Sequence, residues 1–142
     1  MTATAEQLSA SFTEWLGMPA ASERSIVGAV ESGLPTDVVA RLLQHGLSKD
    51  EVFRIIVNPR TLKHRKSKKQ RLSQEESERA VRTVRLIAQA EAVMGDRERA
   101  LAWLRTPKRR FEGRSPMEML VSEVGGRLVE QMLVQIDEGM FA

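Results

Sequence analysis

An all-α fold is predicted by three features of the 142-residue chain. Apolar side chains recur at three- and four-residue spacing in successive segments, as in Leu8, Phe12, Trp15 and Leu16. Helix starts are written out as Ser, Asn or Asp caps, several with Pro at the first helical position or Glu at the third. Glycines stand where the periodic segments stop, at Gly33, Gly46, Gly95 and Gly139. Most of the predicted helices are short. One long helix joins an N-terminal group to a small C-terminal group, and the boundaries fall at residues 1–33, 34–95 and 96–142.

The totals restrict the function classes. Hydrophobic residues at 42% and charged residues at 29% are ordinary for a folded domain, and a chain of this length buries roughly 68% of its unfolded surface. There is no cysteine, which excludes disulfides and thiolate metal sites and suits a reducing cytoplasm. His45 and His64 are the only histidines, too few for a conventional zinc site. No apolar run reaches the length of a membrane span, and no basic-then-apolar leader opens the chain. The expectation is a cytoplasmic protein with no membrane partner, no metal and no cofactor.

Taken in order, Leu8 to Leu16 form a helix that Gly17-Met18-Pro19 ends. Ser22 caps a second helix carrying Ile26, Val27 and Val30, whose expected fate is core packing. Pro35-Thr36-Asp37 starts a third, with Val38, Val39, Leu42 and Leu43 inward. Ser48-Lys49-Asp50-Glu51 is a capping box, flanked by Leu47 and Val52 as a hydrophobic staple. That fourth helix lasts to about Val57, and Asn58-Pro59 opens the fifth.

Short helices with so brief a connection suggest a helix-turn-helix unit. If the turn were Gly46-Leu47-Ser48, the recognition helix would open with Asp50 and Glu51, which phosphate repels. Placing the turn at Asn58 makes residues 59–66 the recognition helix, with Leu62 inward and the cations outward. From Asn58 to Arg71 the chain holds seven basic side chains and no acid, while the net charge of the whole is only +3. The positive charge is therefore local, on a mildly acidic body, as in a nucleic-acid interface. Arg60 and Thr61 stand at the end that approaches base edges. Lys63, Arg65, Lys66, Lys68 and Lys69 suit phosphate, as could His64. No aromatic residue interrupts the run, which favours duplex DNA over stacked single strands.

Ser73 to Glu76 form a further capping box and open the long helix, with Ala80, Val81, Val84, Ile87, Ala88 and Met94 on its apolar face. Arg79, Arg82 and Arg85 extend the phosphate footprint or pair with nearby glutamates. Asp96 caps a helix with Ala100, Leu101, Trp103 and Leu104. Residues 108–113 are a cationic loop with Phe111 exposed, and Ser115-Pro116-Met117-Glu118 starts the next helix. Gly125-Gly126 is expected to break that helix. Leu128, Val129, Met132, Leu133 and Ile136 then form a stripe, read as core or as half of a dimer or partner interface.

With these residues in view, the chain resembles the Xre/MbcA/ParS antitoxins, the partners of RES-domain toxins. The resemblance rests on Pro59-Arg60-Thr61-Leu62-Lys63-His64-Arg65-Lys66, on Leu72-Ser73 with Glu76-Ser77-Glu78-Arg79, and on Ala100-Leu101-Ala102-Trp103-Leu104. It continues through Gly113-Arg114-Ser115-Pro116-Met117-Glu118-Met119-Leu120 and Gly126-Arg127-Leu128-Val129-Glu130. It implies an antitoxin of a type II toxin–antitoxin system, whose helix-turn-helix binds double-stranded operator DNA and whose C-terminal unit obstructs the active site of a RES-type, NAD-consuming toxin. The implied partners are that toxin, operator DNA and a second copy of the chain. The implied toxin-binding set is Trp103, Arg105, Arg109, Arg110, Phe111, Gly113, Pro116, Met140 and Phe141. Of these, Trp103, Gly113 and Pro116 read equally well as core anchor, tight turn and helix start.

Catalysis is poorly served. There is no nucleophile with a base beside it, no phosphate-cradling glycine loop and no aligned carboxylate pair. A stand-alone helix-turn-helix repressor, with C-terminal helices for dimerisation, is the competing expectation.

Overall fold

The computed structural model describes residues 2–18 and 22–139. Among them are nine α-helices and no strand: α1 (Ala5–Leu16), α2 (Glu23–Ser32), α3 (Val38–His45), α4 (Lys49–Ile55), α5 (Pro59–Ser67), α6 (Gln74–Met94), α7 (Arg97–Arg105), α8 (Pro116–Met119) and α9 (Glu123–Asp137). The chain divides into two compact units, one of Ser9–Val81 and one of Met1–Leu8 with Arg82–Ala142, so that α6 contributes to both.

In the first unit the local signals act as written. The Ser48 hydroxyl accepts from the Glu51 amide while the Glu51 carboxylate accepts from the Ser48 amide, closing the capping box of α4. Leu47 and Val52, the staple residues, are both buried. The Asn58 side chain accepts from the Thr61 amide at 2.8 Å, and Pro59 occupies the first position of α5, where no amide is needed. Phe12, Trp15, Leu42, Val52 and Ile56 are among the largest fully buried side chains, each worth about 1.5–3 kcal/mol relative to exposure.

Two features of this unit lie outside local pattern. The amide of Leu34 donates to the buried Ser77 hydroxyl at 2.8 Å, and the amide of Leu72 donates to the Leu34 carbonyl at 2.9 Å. This brings Gly33 so close to the Leu72 carbonyl that a Cβ there would stand 2.3 Å from it. The second feature concerns α2, which buries none of its residues, Val27 being 53% exposed. The expected core role of Ile26, Val27 and Val30 is corrected accordingly. The Ser22 cap and the Gly33 stop specify a helix, but they do not specify what covers it.

In the second unit α7, α8 and α9 pack in sequence around Leu104, Leu120, Val129 and Leu133, all fully buried. Here the expected role of Gly125-Gly126 is corrected. Ser122 caps α9 by accepting from the Gly125 amide, and the helix runs through both glycines. Their service is close approach: a Cβ on Gly125 would lie 1.9 Å from the Met119 carbonyl, and one on Gly126 would lie 2.8 Å from the Arg82 side chain. The helix opened by Ser115 and Pro116 accordingly lasts a single turn. The stripe on α9 buries Val129, Met132 and Leu133 but leaves Leu128 42% exposed.

Candidate nucleic-acid and partner interfaces

The exposed face of α5 is built from its cap outward. With Leu62 buried at 7%, Arg60, Lys63, His64 and Lys66 fall on solvent and Thr61 is half-buried. The helix ends in a Schellman arrangement: the amide of Gln70 donates to the Arg65 carbonyl at 2.8 Å and that of Lys69 to the Lys66 carbonyl at 3.1 Å. Lys69 sits in the left-handed region at φ 54°, a position that glycine normally takes and that costs another residue about 1 kcal/mol. Both Lys68 and Lys69 are exposed beyond the helix end. Of the eight residues predicted to meet DNA, the structure thus places seven along one continuous cationic segment.

Arg65 is the departure. Its Nε donates to Glu76 Oε1 at 2.7 Å and its Nη2 to Oε2 at 3.2 Å. The same Glu76 carboxylate accepts from the Ser73 amide, completing the capping box of α6. Arg65 is therefore a strut between α5 and α6. Its side chain is 23% exposed and that of Glu76 9%, so the forked pair is sheltered from water. Burial alone would push the Glu76 pKa up. The hydrogen bonds from Arg65 and Ser73 outweigh burial and leave it below the usual glutamate range, with Arg65 raised in turn.

A group held below its unfolded pKa contributes stability above the ordinary glutamate value of about 4.3, and that contribution drains as pH falls through the folded value. Glu76→Gln keeps the acceptor for Ser73 but sets an amide against the guanidinium. It is expected to cost about 1–2 kcal/mol, as for a charge-assisted hydrogen bond in a partly exposed site. It should also flatten the loss of stability on the acid side. Urea denaturation at neutral and acid pH checks both.

Three further arginines close helix ends. Arg79 donates twice to the Ile56 carbonyl at the end of α4, at 3.1 and 3.0 Å. Arg82 donates to the Leu120 carbonyl at the end of α8, at 3.0 Å. Arg41 donates to the Thr13 and Glu14 carbonyls in the last turn of α1. Each satisfies acceptors that a helix terminus leaves open. The two histidines go separate ways, His64 onto the exposed face of α5 and His45 to within 5.9 Å of the Trp15 ring.

The predicted toxin-binding residues separate by burial. Arg105, Arg109, Arg110 and Gly113 are exposed, and Trp103 is half-buried with Lys108 Nζ 4.8 Å from its ring centre. Burial of that ammonium pushes the Lys108 pKa below the usual lysine range. Phe111, expected to be exposed, is only 6% exposed. The reason is a tight loop: Lys108 and Arg114 are bridged backbone to backbone, and consecutive positive φ angles at Glu112 (56°) and Gly113 (86°) turn Phe111 inward as its anchor. Pro116 is buried at the first position of α8. Met140 and Phe141 lie outside the described residues.

The second unit has an exposed apolar face, of which the sequence pointed only to Leu128, within the stripe read as core or interface. Val121, Val124 and Leu128 are 51%, 66% and 42% exposed. Leu128 also lines a cavity of about 100 Å³ with Arg110, Phe111, Gln131, Met132 and Gln135, across which Arg110 donates to Gln135 Oε1 at 2.8 Å. For Val124, its i, i+4 spacing from Leu128 was the available signal. Among the described residues no group of three potential ligands could hold a metal ion, and no helix is long and apolar enough to cross a membrane.

Together these features define a helix-turn-helix protein that carries a second, separately packed helical unit with an exposed apolar face. Residues 25–85 match the family model of the antitoxin Xre-like helix-turn-helix domain. Residues 89–139 match the antitoxin Xre/MbcA/ParS C-terminal toxin-binding domain. A protein named antitoxin Xre from Pseudomonas putida is 38% identical over 119 residues, which cover 84% of this chain and 75% of that protein. Its namesake in Yersinia enterocolitica is 31% identical over 130 residues, covering 89% and 88%, and that in Photorhabdus laumondii is 27% identical over 128, covering 88% and 86%. The chain belongs to the Xre antitoxin family.

Proposed function

We propose that this chain is the antitoxin of a type II toxin–antitoxin pair, neutralising a co-encoded RES-type, NAD-consuming toxin by obstructing its active site. It also binds its own operator as a dimer, thereby regulating the operon. The observation that carries this reading is the presence, in one chain, of an Xre-like helix-turn-helix domain and a matched toxin-binding domain. The DNA role falls to α5 and its exit, with Arg60 and Thr61 at base edges and Lys63, His64, Lys66, Lys68 and Lys69 on phosphates. The toxin role falls to the unit of α7–α9, where Arg105, Arg109 and Arg110 provide charge. Val121, Val124 and Leu128 provide the dry patch that a specific interface needs.

A stand-alone repressor is the weaker reading, because it leaves a matched toxin-binding domain with no toxin to bind. Co-expression with the adjacent RES-type toxin, alongside a reporter driven by the operon's promoter, separates the two. Growth rescue together with repression is expected. Repression without rescue would leave only the repressor, and rescue without repression would remove the DNA half.

A further inference from the structure

Beside α5, the first unit holds a concavity of about 560 Å³ whose lining residues Thr36, Asp37, Gln70 and Arg71 the proposed function has not used. It is walled by Lys66, Lys69, Gln70 and Arg71 on one side and by Thr36 and Asp37, at the start of α3, on the other. Three cations face it against one carboxylate, Asp37, which makes no capping bond with its side chain. Arg71 is held at the rim by donating one guanidinium N–H to the Gly33 carbonyl at 3.1 Å, leaving others of its five donors for a ligand. Among the described residues Lys66 and Lys69 are in no ion pair. The left-handed backbone of Lys69 aims a long cation where glycine would be cheaper.

We propose that this concavity seats a backbone phosphodiester of the bound duplex, at the opposite end of α5 from the base-reading residues. The inference rests on the DNA-binding role of α5 and adds to it Thr36, Gln70 and Arg71, a contact made jointly with α3. Spacing supports it. From Arg60 to Ser67, the last residue of α5, the helix rises about 10 Å, comparable to the major-groove width of about 12 Å. With Arg60 at base edges, the far end of α5 meets the phosphate wall of the groove. The concavity is open, so a strand can pass across it as an enclosed ion site would not allow. A contact of this kind positions the protein and does not read sequence.

The test uses the full chain with two duplexes of equal length, one carrying the promoter upstream of its gene and one of random sequence. Thr36→Glu and Gln70→Glu each place a carboxylate in the concavity. Each should weaken both duplexes equally, by about tenfold, and reduce the salt slope by about 1. Asp37→Asn removes the opposing charge and should tighten both by about threefold, a gain that misfolding cannot mimic. Arg60→Ala should instead weaken the promoter duplex selectively. Unchanged affinity and slope in the three concavity variants, with Arg60→Ala still impaired, would overturn the phosphate seat alone. Failure of the unmodified chain to bind either duplex would overturn the DNA reading beneath it.

Discussion

Affinity for operator DNA is expected to fall about 10⁴-fold as salt rises from about 50 to about 200 mM. The charge responsible is both local and exposed. Arg60, Lys63, Lys66, Lys68 and Lys69 all lie on solvent along α5 and its exit. Arg65 is subtracted, because Glu76 holds it. In the proposed dimer these cations would neutralise about eight phosphates, each releasing condensed counterions, so log K would fall with log salt at a slope of roughly −7. Fluorescence anisotropy across a salt series gives the slope directly. A flat dependence would remove the phosphate role of the whole segment, whereas a slope reduced by about 1 in a single-lysine variant would apportion it.

The second large effect is expected at Gly125, which is remote in sequence from every residue assigned to DNA. A methyl group there would stand 1.9 Å from the Met119 carbonyl, and backbone cannot step aside as a side-chain tip can. Gly125→Ala should therefore destabilise the second unit by about 3 kcal/mol or more, at the upper end of overpacking costs. The α8–α9 junction that presents Val121, Val124 and Leu128 would be lost with it. Neutralisation of the toxin should be abolished while operator binding changes by less than about threefold, since the first unit has its own core. Rescue assays and anisotropy on the same full-length variant read both. Equal loss of the two activities would contradict the division of labour between the units.

What could be read in advance was what neighbouring residues settle between themselves. Ser48 with Glu51, Asn58 with Thr61, and Ser73 with Glu76 are contacts over three residues, and each forms as its chemistry requires. The helix start at Asn58 and the inward Leu62 were legible for the same reason. Partners far along the chain were not legible. Nothing near Arg65 announces that Glu76 will take it, nor that Arg79, Arg82 and Arg41 will each close the end of another helix. Gly125 and Gly126 looked like a break because a glycine's local cost in a helix is visible from sequence, whereas the carbonyl it must pass is not. Phe111 looked exposed because its neighbours are cations, yet the loop turns it inward. Which members of the α9 stripe are covered was hidden for a related reason: Leu128 projects about 100° away from the buried Val129.

These corrections sharpen the functional picture. Removing Arg65 from the proposed contact set leaves a narrower candidate DNA edge, tied to α6 by the Arg65–Glu76 strut. Removing Phe111 and Pro116 shifts the candidate toxin surface toward the exposed arginines and the Val121–Leu128 patch.

The most direct measurement is NAD consumption by the purified co-encoded RES-type toxin, titrated with this chain. Activity should fall linearly and reach baseline at a fixed small-integer ratio of chain to toxin. Toxin turnover that persists undiminished in excess chain would contradict the account at its centre.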